Sequence, residues 1–138
     1  MGLPGTRIAR RFYRAALERL DDAVFLNAAA RNTAAVYLAG YAVECMLKAL
    51  VVSLVPENRQ AEVENRFRGA KAHDFDWLLR LYRQLGGQGM PRVLAADYAR
   101  VNTWTTEFRY VTSTMKEQET QAFLASARRV VEWANGRL

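Results

Sequence analysis

The sequence predicts an all-α fold, five helical segments packed as a bundle. Three observations predict it. Apolar residues recur three or four positions apart through five segments, no segment alternates with a period of two, and 138 residues suffice for one hydrophobic core. A single domain over residues 1–138 is expected. The chain is 51% hydrophobic and 25% charged, enough apolar content for a core and unlike a disordered segment.

The first helix is predicted over roughly Thr6 to Asn27, with Ile8, Phe12, Ala16, Leu20 and Val24 as its buried stripe and Arg10, Arg14, Glu18 and Asp21 on other faces. The second runs from about Asn32 to Val55, with Asn32 or Thr33 as N-cap and Pro56 beyond its end. Between Ala34 and Val55 only Glu44 and Lys48 are charged. A membrane span is rejected, because each charge near mid-bilayer costs about 2.5–3.5 kcal/mol. This is the expected central helix, and Gly40 within it marks a close approach by another helix.

The polar stretch Glu57 to Lys71 reads as a loop with a short exposed helix. Asp74 caps a third helix that buries Trp77, Leu78, Leu81, Tyr82 and Leu85 and ends at Gly86, Gly87 and Gly89. A fourth opens at Pro91 and continues through Leu94, Tyr98, Val101, Trp104 and Phe108 toward Arg109 and Tyr110, its second half weakened by threonine. Thr114 and Glu117 have capping-box spacing for a fifth, whose core face is Phe123, Leu124, Ala127, Val130, Val131 and Ala134, with Gly136 as its end.

Several function classes are excluded. Cys45 is the only cysteine, so an intrachain disulfide and a multi-thiolate metal site are ruled out. A lone His73 makes metal binding unexpected, and the glycines at 86, 87 and 89 follow a helix and lack the Lys-Ser/Thr of a P-loop. No cofactor is expected. Met1 to Thr6 carry no basic region followed by an apolar run, so no signal peptide is expected and the location should be cytoplasmic. The net charge of +6 allows an acidic or nucleic-acid partner, although Arg7, Arg10, Arg11 and Arg14 read first as a solvated helix face.

The most informative local feature is a stripe of polar tips, Tyr37, Tyr41, Glu44 and Lys48, on an otherwise apolar rod. A buried charge persists only when paired. Lys48 lies one turn from Glu44, and Arg109, set among Trp104, Phe108 and Tyr110, is the best partner from elsewhere. Two readings stay open: a structural ion pair that fixes helix register, or a cleft between helices.

The run Ala34-Ala35-Val36-Tyr37-Leu38-Ala39-Gly40-Tyr41-Ala42-Val43-Glu44-Cys45-Met46-Leu47-Lys48-Ala49-Leu50 resembles the second helix of HEPN domains, where Glu and Lys four apart precede Ala-Leu. His73-Asp74-Phe75 is similar to that family's His-Asp-Leu, and Arg109-Tyr110 to its Arg-Tyr after the fourth helix. The resemblance implies an up-and-down bundle of four or five helices that commonly homodimerises, in a family associated with RNA cleavage, nucleotide binding, and toxin–antitoxin or defence systems, often beside a nucleotidyltransferase. Its ribonuclease members carry an Arg, four to six residues, then a His. Here the positions after Arg109 are Thr114, Met115 and Lys116, so the motif His is missing. Arg68 and His73 share the spacing but precede the third helix, and that match is read as coincidence.

The resemblance therefore implies a noncatalytic module that binds a nucleotide, RNA or a partner protein. Arg109 and Lys48 would face the anion, Glu44 would orient Arg109, and Tyr41, His73 and Tyr110 complete the set. The alternatives are a metal-independent ribonuclease toxin with a divergent active site, and an oligomeric scaffold that binds no small molecule.

Overall fold

A helix with apolar residues nearly all round is stable in water only inside a protein, and α2 (Asn32–Ser53) takes that place. The computed structural model describes residues 3–138; Met1 and Gly2, the start of the stretch read for a signal peptide, lie outside the described residues. From Ala42 to Val52, α2 is buried without a break. It is long and apolar enough to cross a membrane, yet 83% of its apolar window is buried by its neighbours in this fold. Around it pack α1 (Arg7–Ala28), α6 (Glu117–Asn135) and α4 (Phe75–Gln84), with lesser contacts from α3 (Glu57–Glu64). A short α5 (Ala95–Val101) lies against α6. One continuous apolar core joins them, and no strand occurs among the described residues.

The broadest contact, α1 on α2, rests on small residues. Ala9, Ala16 and Ala23 recur every seven positions and are all buried. The expected stripe is thus shifted: Ile8 and Ala16 are buried and Phe12 and Leu20 half-buried, but Val24 is exposed and Ala23 takes its place. Alanines let the two backbones approach closely, and the larger side chains line the edges.

The turn between α1 and α2 has the hydrogen bonds of a Schellman motif. The Arg31 amide donates to Leu26 O and the Ala30 amide to Asn27 O, with Ala30 at φ +63°. Arg31, not Asn32 or Thr33, occupies the cap position of α2. Asn32 instead donates to Met115 O at 3.1 Å and to Glu117 Oε2 at 2.9 Å. That use of Glu117 explains why the expected Thr114–Glu117 capping box does not form; Lys116 stands at the start of α6 without a side-chain cap.

The remaining expectations divide. Asp74 caps α4, accepting from the amides of Asp76 and Trp77, and Gly86 ends it at φ +104°. The predicted core face of α6 is buried throughout, whereas Gly136 follows α6 in a right-handed conformation. Gln60 and Val63 of α3 are buried, so the polar stretch is less exposed than its composition implies. The fourth predicted helix is the main correction. A 3-10 turn (Arg92–Leu94) leads into α5, which stops at Val101, and after Trp104 another 3-10 turn (Thr106–Tyr110) follows. The break lets Trp104 turn into the core.

What approaches Gly40 is the Trp104 side chain and not a helix. A Cβ on Gly40 would fall inside the indole. The indole donates from Nε1 to Tyr37 O at 3.1 Å, and it stacks on Phe75 at 5.5 Å and on Tyr37 at 5.9 Å.

Candidate functional site

Burial of Glu44 in the most apolar helix demands partners for both of its oxygens. The structure supplies them from Lys48 and His73. Lys48 Nζ donates to Oε2 at 2.8 Å, and His73 Nδ1 lies 2.9 Å from Oε1. Glu44 is 1% exposed and Lys48 8%. The ammonium also lies over the rings of Phe67 and Phe12, at 5.5 and 6.0 Å, and those rings meet edge to face. Every favourable interaction of Lys48 is therefore internal, and it is not the anion-facing group expected from the sequence.

Glu44 does not meet Arg109, and this is the chief correction to the expected site. Arg109 lies on the 3-10 turn Thr106–Tyr110 and lines a cleft with Arg31, Thr33, Tyr37 and Phe108, at the N-terminal end of α2. Thr33 and Glu44 are eleven residues apart on one helix, about 16 Å along its axis. The predicted fourth helix continues through Trp104 to Arg109; the break after Val101 instead places the guanidinium at the other end of the polar stripe.

The expected set thus separates. Glu44, Lys48 and His73 form one cluster. Tyr41 is half-buried between the two ends, its ring 6.4 Å from Tyr37, and desolvation followed by the nearby Cys45 and Glu44 raises its phenol. Tyr110 is 68% exposed and sits under the Arg109 guanidinium, 5.0 Å from ring centroid to Cζ, without lining the cleft.

The Arg109 cleft encloses about 380 Å³. Its wall is pinned by Thr33, whose hydroxyl donates to Ser113 O at 2.6 Å and accepts from the Met115 amide at 3.1 Å. Arg31 and Arg109 make no ion pair among the described residues. The first turn of α2 carries no acidic side chain, so the positive end of a 22-residue helix dipole adds to the two guanidiniums. Glu117, whose carboxyl is held low by the Asn27 and Asn32 amides, does not line the cleft. Tyr37 and Phe108 supply aromatic faces beside the charges. Sequence reasoning missed Arg31, Thr33 and Phe108 as site residues; a basic residue just before the predicted start of the central helix was the available signal.

His73 faces a different cleft, of about 410 Å³, with Asp74, Asp76 and Glu107 among its lining residues. Its side chain is 44% exposed. Nδ1 is the ring nitrogen turned toward Glu44. Cys45 offers no nucleophile, since burial, with Glu44 next, pushes its thiol up to about 12. No group of three or more His, Cys, Asp or Glu is arranged to hold a metal among the described residues.

No curated protein and no solved structure matches the chain. The family described as HEPN domain matches residues 9–137, nearly the whole length, and the matched region includes the Glu44–Lys48 helix, His73-Asp74 and Arg109-Tyr110. The chain belongs to the HEPN domain family.

Proposed function

We propose that this HEPN domain is a noncatalytic module that binds a nucleotide, or the phosphate of an RNA, in the Arg31–Arg109 cleft. The observation that carries the reading is that two exposed guanidiniums, without ion-pair partners among the described residues, line one cleft at the N-terminal end of α2, beside Tyr37 and Phe108. Guanidinium forks match phosphate oxygens, and aromatic faces suit a base. Glu44 and Lys48 support the site indirectly, by fixing the helix that carries Tyr37 and Thr33.

Titration with a nucleotide panel, followed by thermal shift and calorimetry, tests the reading. A ligand at a hundredfold excess over its Kd stabilises by about 2.7 kcal/mol. Arg109→Ala and Arg31→Ala should abolish that shift while leaving the unliganded melting temperature in place. A folded Arg109→Ala variant that binds normally would sink the proposal, and absence of binding to any nucleotide or RNA would favour a scaffold.

The second reading, a ribonuclease with a divergent site, draws on the Glu44-oriented imidazole of His73. Its cleft argues against RNA as substrate, because Asp74, Asp76 and Glu107 set a field that repels phosphate. Incubation with total cellular RNA, comparing the parent with His73→Ala and Arg109→Ala, separates the two; cleavage lost in either variant would establish the enzyme. Homodimerisation, a nucleotidyltransferase partner, a toxin–antitoxin or defence role and a cytoplasmic location are parts of the same proposal.

A further inference from the structure

A third cleft, remote in sequence from the Arg109 site, lies between the C-terminal half of α4, the glycine-containing turn after it and the start of α5. It encloses about 390 Å³, within the range of small-molecule sites. Its walls are Leu79, Tyr82, Met90 and Tyr98, and at its rim stand Arg83 and Arg92. Both arginines are exposed, and neither makes an ion pair or a side-chain hydrogen bond among the described residues.

The walls are held before any ligand arrives. The Tyr98 hydroxyl donates to Asp76 Oδ1 at 2.6 Å, which ties the polar end of that ring outside the cleft. Tyr82 rests edge-on against Trp133 of α6, with centroids 6.3 Å apart. The Gly87 amide donates to Tyr82 O at 2.9 Å, and a Cβ on Gly87 would fall inside the Tyr82 ring, so the turn is drawn against that wall. A preformed apolar slot loses little entropy on filling.

We infer that this cleft binds a small organic anion, an apolar body carrying one carboxylate, with the body between Leu79, Met90 and the two tyrosines and the carboxylate on Arg83 and Arg92. Charge complementarity selects the anion, because two guanidiniums share a mouth whose lining contains no carboxylate. The apolar walls select the body, since a bare inorganic anion would leave them wet.

A matched pair of probes, 2-naphthoate and 2-naphthamide, tests the inference on the full chain by methyl-detected NMR titration. Naphthoate should shift the Leu79 and Met90 methyls and bind about tenfold tighter than the amide, the worth of a charge-assisted hydrogen bond. Arg83→Ala/Arg92→Ala should erase that preference while retaining the amide's affinity, and Arg109→Ala should change neither. Equal binding of the two probes to the parent, shifts confined to residues around Tyr37, or no shift at millimolar probe overturns the inference. Inorganic phosphate binding as tightly as naphthoate would overturn the apolar part of it.

Discussion

His73 and Glu44, twenty-nine residues apart, meet at 2.9 Å and so tie the start of α4 to the middle of α2. The other oxygen of the same carboxylate holds Lys48, and the three side chains run from the core outward to a half-exposed imidazole. Both oxygens of a nearly inaccessible group are thereby satisfied.

Truncating the carboxylate exposes what the pair is worth. Glu44→Ala leaves the Lys48 ammonium buried without a counter-ion, and unfolding in urea should show a loss of about 3–5 kcal/mol. The double variant Glu44→Leu/Lys48→Met, which removes both charges and keeps the volume, should be more stable than Glu44→Ala. A double variant as unstable as the single would show that the ion pair itself, and not the stranded charge, dominates.

Gly40 is set by the indole on top of it. On an exposed helix Gly→Ala stabilises by about 1 kcal/mol; here the added methyl would occupy the Trp104 ring, and overpacking of this kind costs about 1–3 kcal/mol. Gly40→Ala should therefore destabilise, with loss of tryptophan near-ultraviolet dichroism as Trp104 is expelled. In a Trp104→Ala background the same substitution should turn neutral or stabilising; an unchanged penalty there would place the strain elsewhere.

These two residues also mark what the sequence could reveal. An apolar rod interrupted by a Glu–Lys pair has one solution in water, and the helix periodicity located α1, α2, α4 and α6. Gly40 announced a close approach because a mid-helix glycine has a cost that something must offset. The identity of the approaching group was not legible, since it depends on where the chain breaks after Val101. Threonine enrichment signalled weakness without saying whether Trp104 would stay on a helix or fold inward. That one decision moved Arg109 from Glu44 to Arg31. The long-range use of Glu117 by Asn27 and Asn32 was hidden for a similar reason: a local capping pattern competed with partners 90 and 85 residues away.

The turn before α2 offers a stabilising substitution. Ala30 adopts φ +63° at the position where Gly86 serves in the equivalent turn after α4. A left-handed conformation costs a residue with a Cβ about 1–2 kcal/mol, part of which glycine returns as unfolded-state entropy. Ala30→Gly should raise stability by about 0.5–1 kcal/mol. A lower melting temperature would mean that the methyl makes contacts that outweigh the strain.

Self-association, part of the proposed function, has a surface to test. Phe25 is 73% exposed and Val24 42%, adjacent near the end of α1, whereas α6 exposes no large hydrophobic side chain. Phe25→Arg should convert a dimer to monomer in light scattering after size exclusion, with the helical dichroism retained. A parent protein that is already monomeric at micromolar concentration, or a variant that remains dimeric, would remove α1 from the interface.

Acid sensitivity should concentrate where α5 meets α6. Asp97 Oδ1 accepts from Arg129 and from Ser126, both at 2.8 Å, and Arg100 donates to the Ser126 hydroxyl at 3.0 Å. The Arg129 hydrogen bond, opposed by burial and aided by Ser126, holds the Asp97 carboxyl below its ordinary value. A carboxyl lowered by folding binds fewer protons in the native state, so its stabilisation is complete above its unfolded pKa and is lost as pH falls through the folded one. Melting temperature should therefore drop on acidification below about pH 4. Asp97→Asn should be less stable near neutrality and show a shallower drop there. Glu117, also held low, titrates with the same sign, so the comparison is best made in a Glu117→Gln background. Parallel melting curves for the aspartate and asparagine forms across that range would assign the acid lability to other carboxylates.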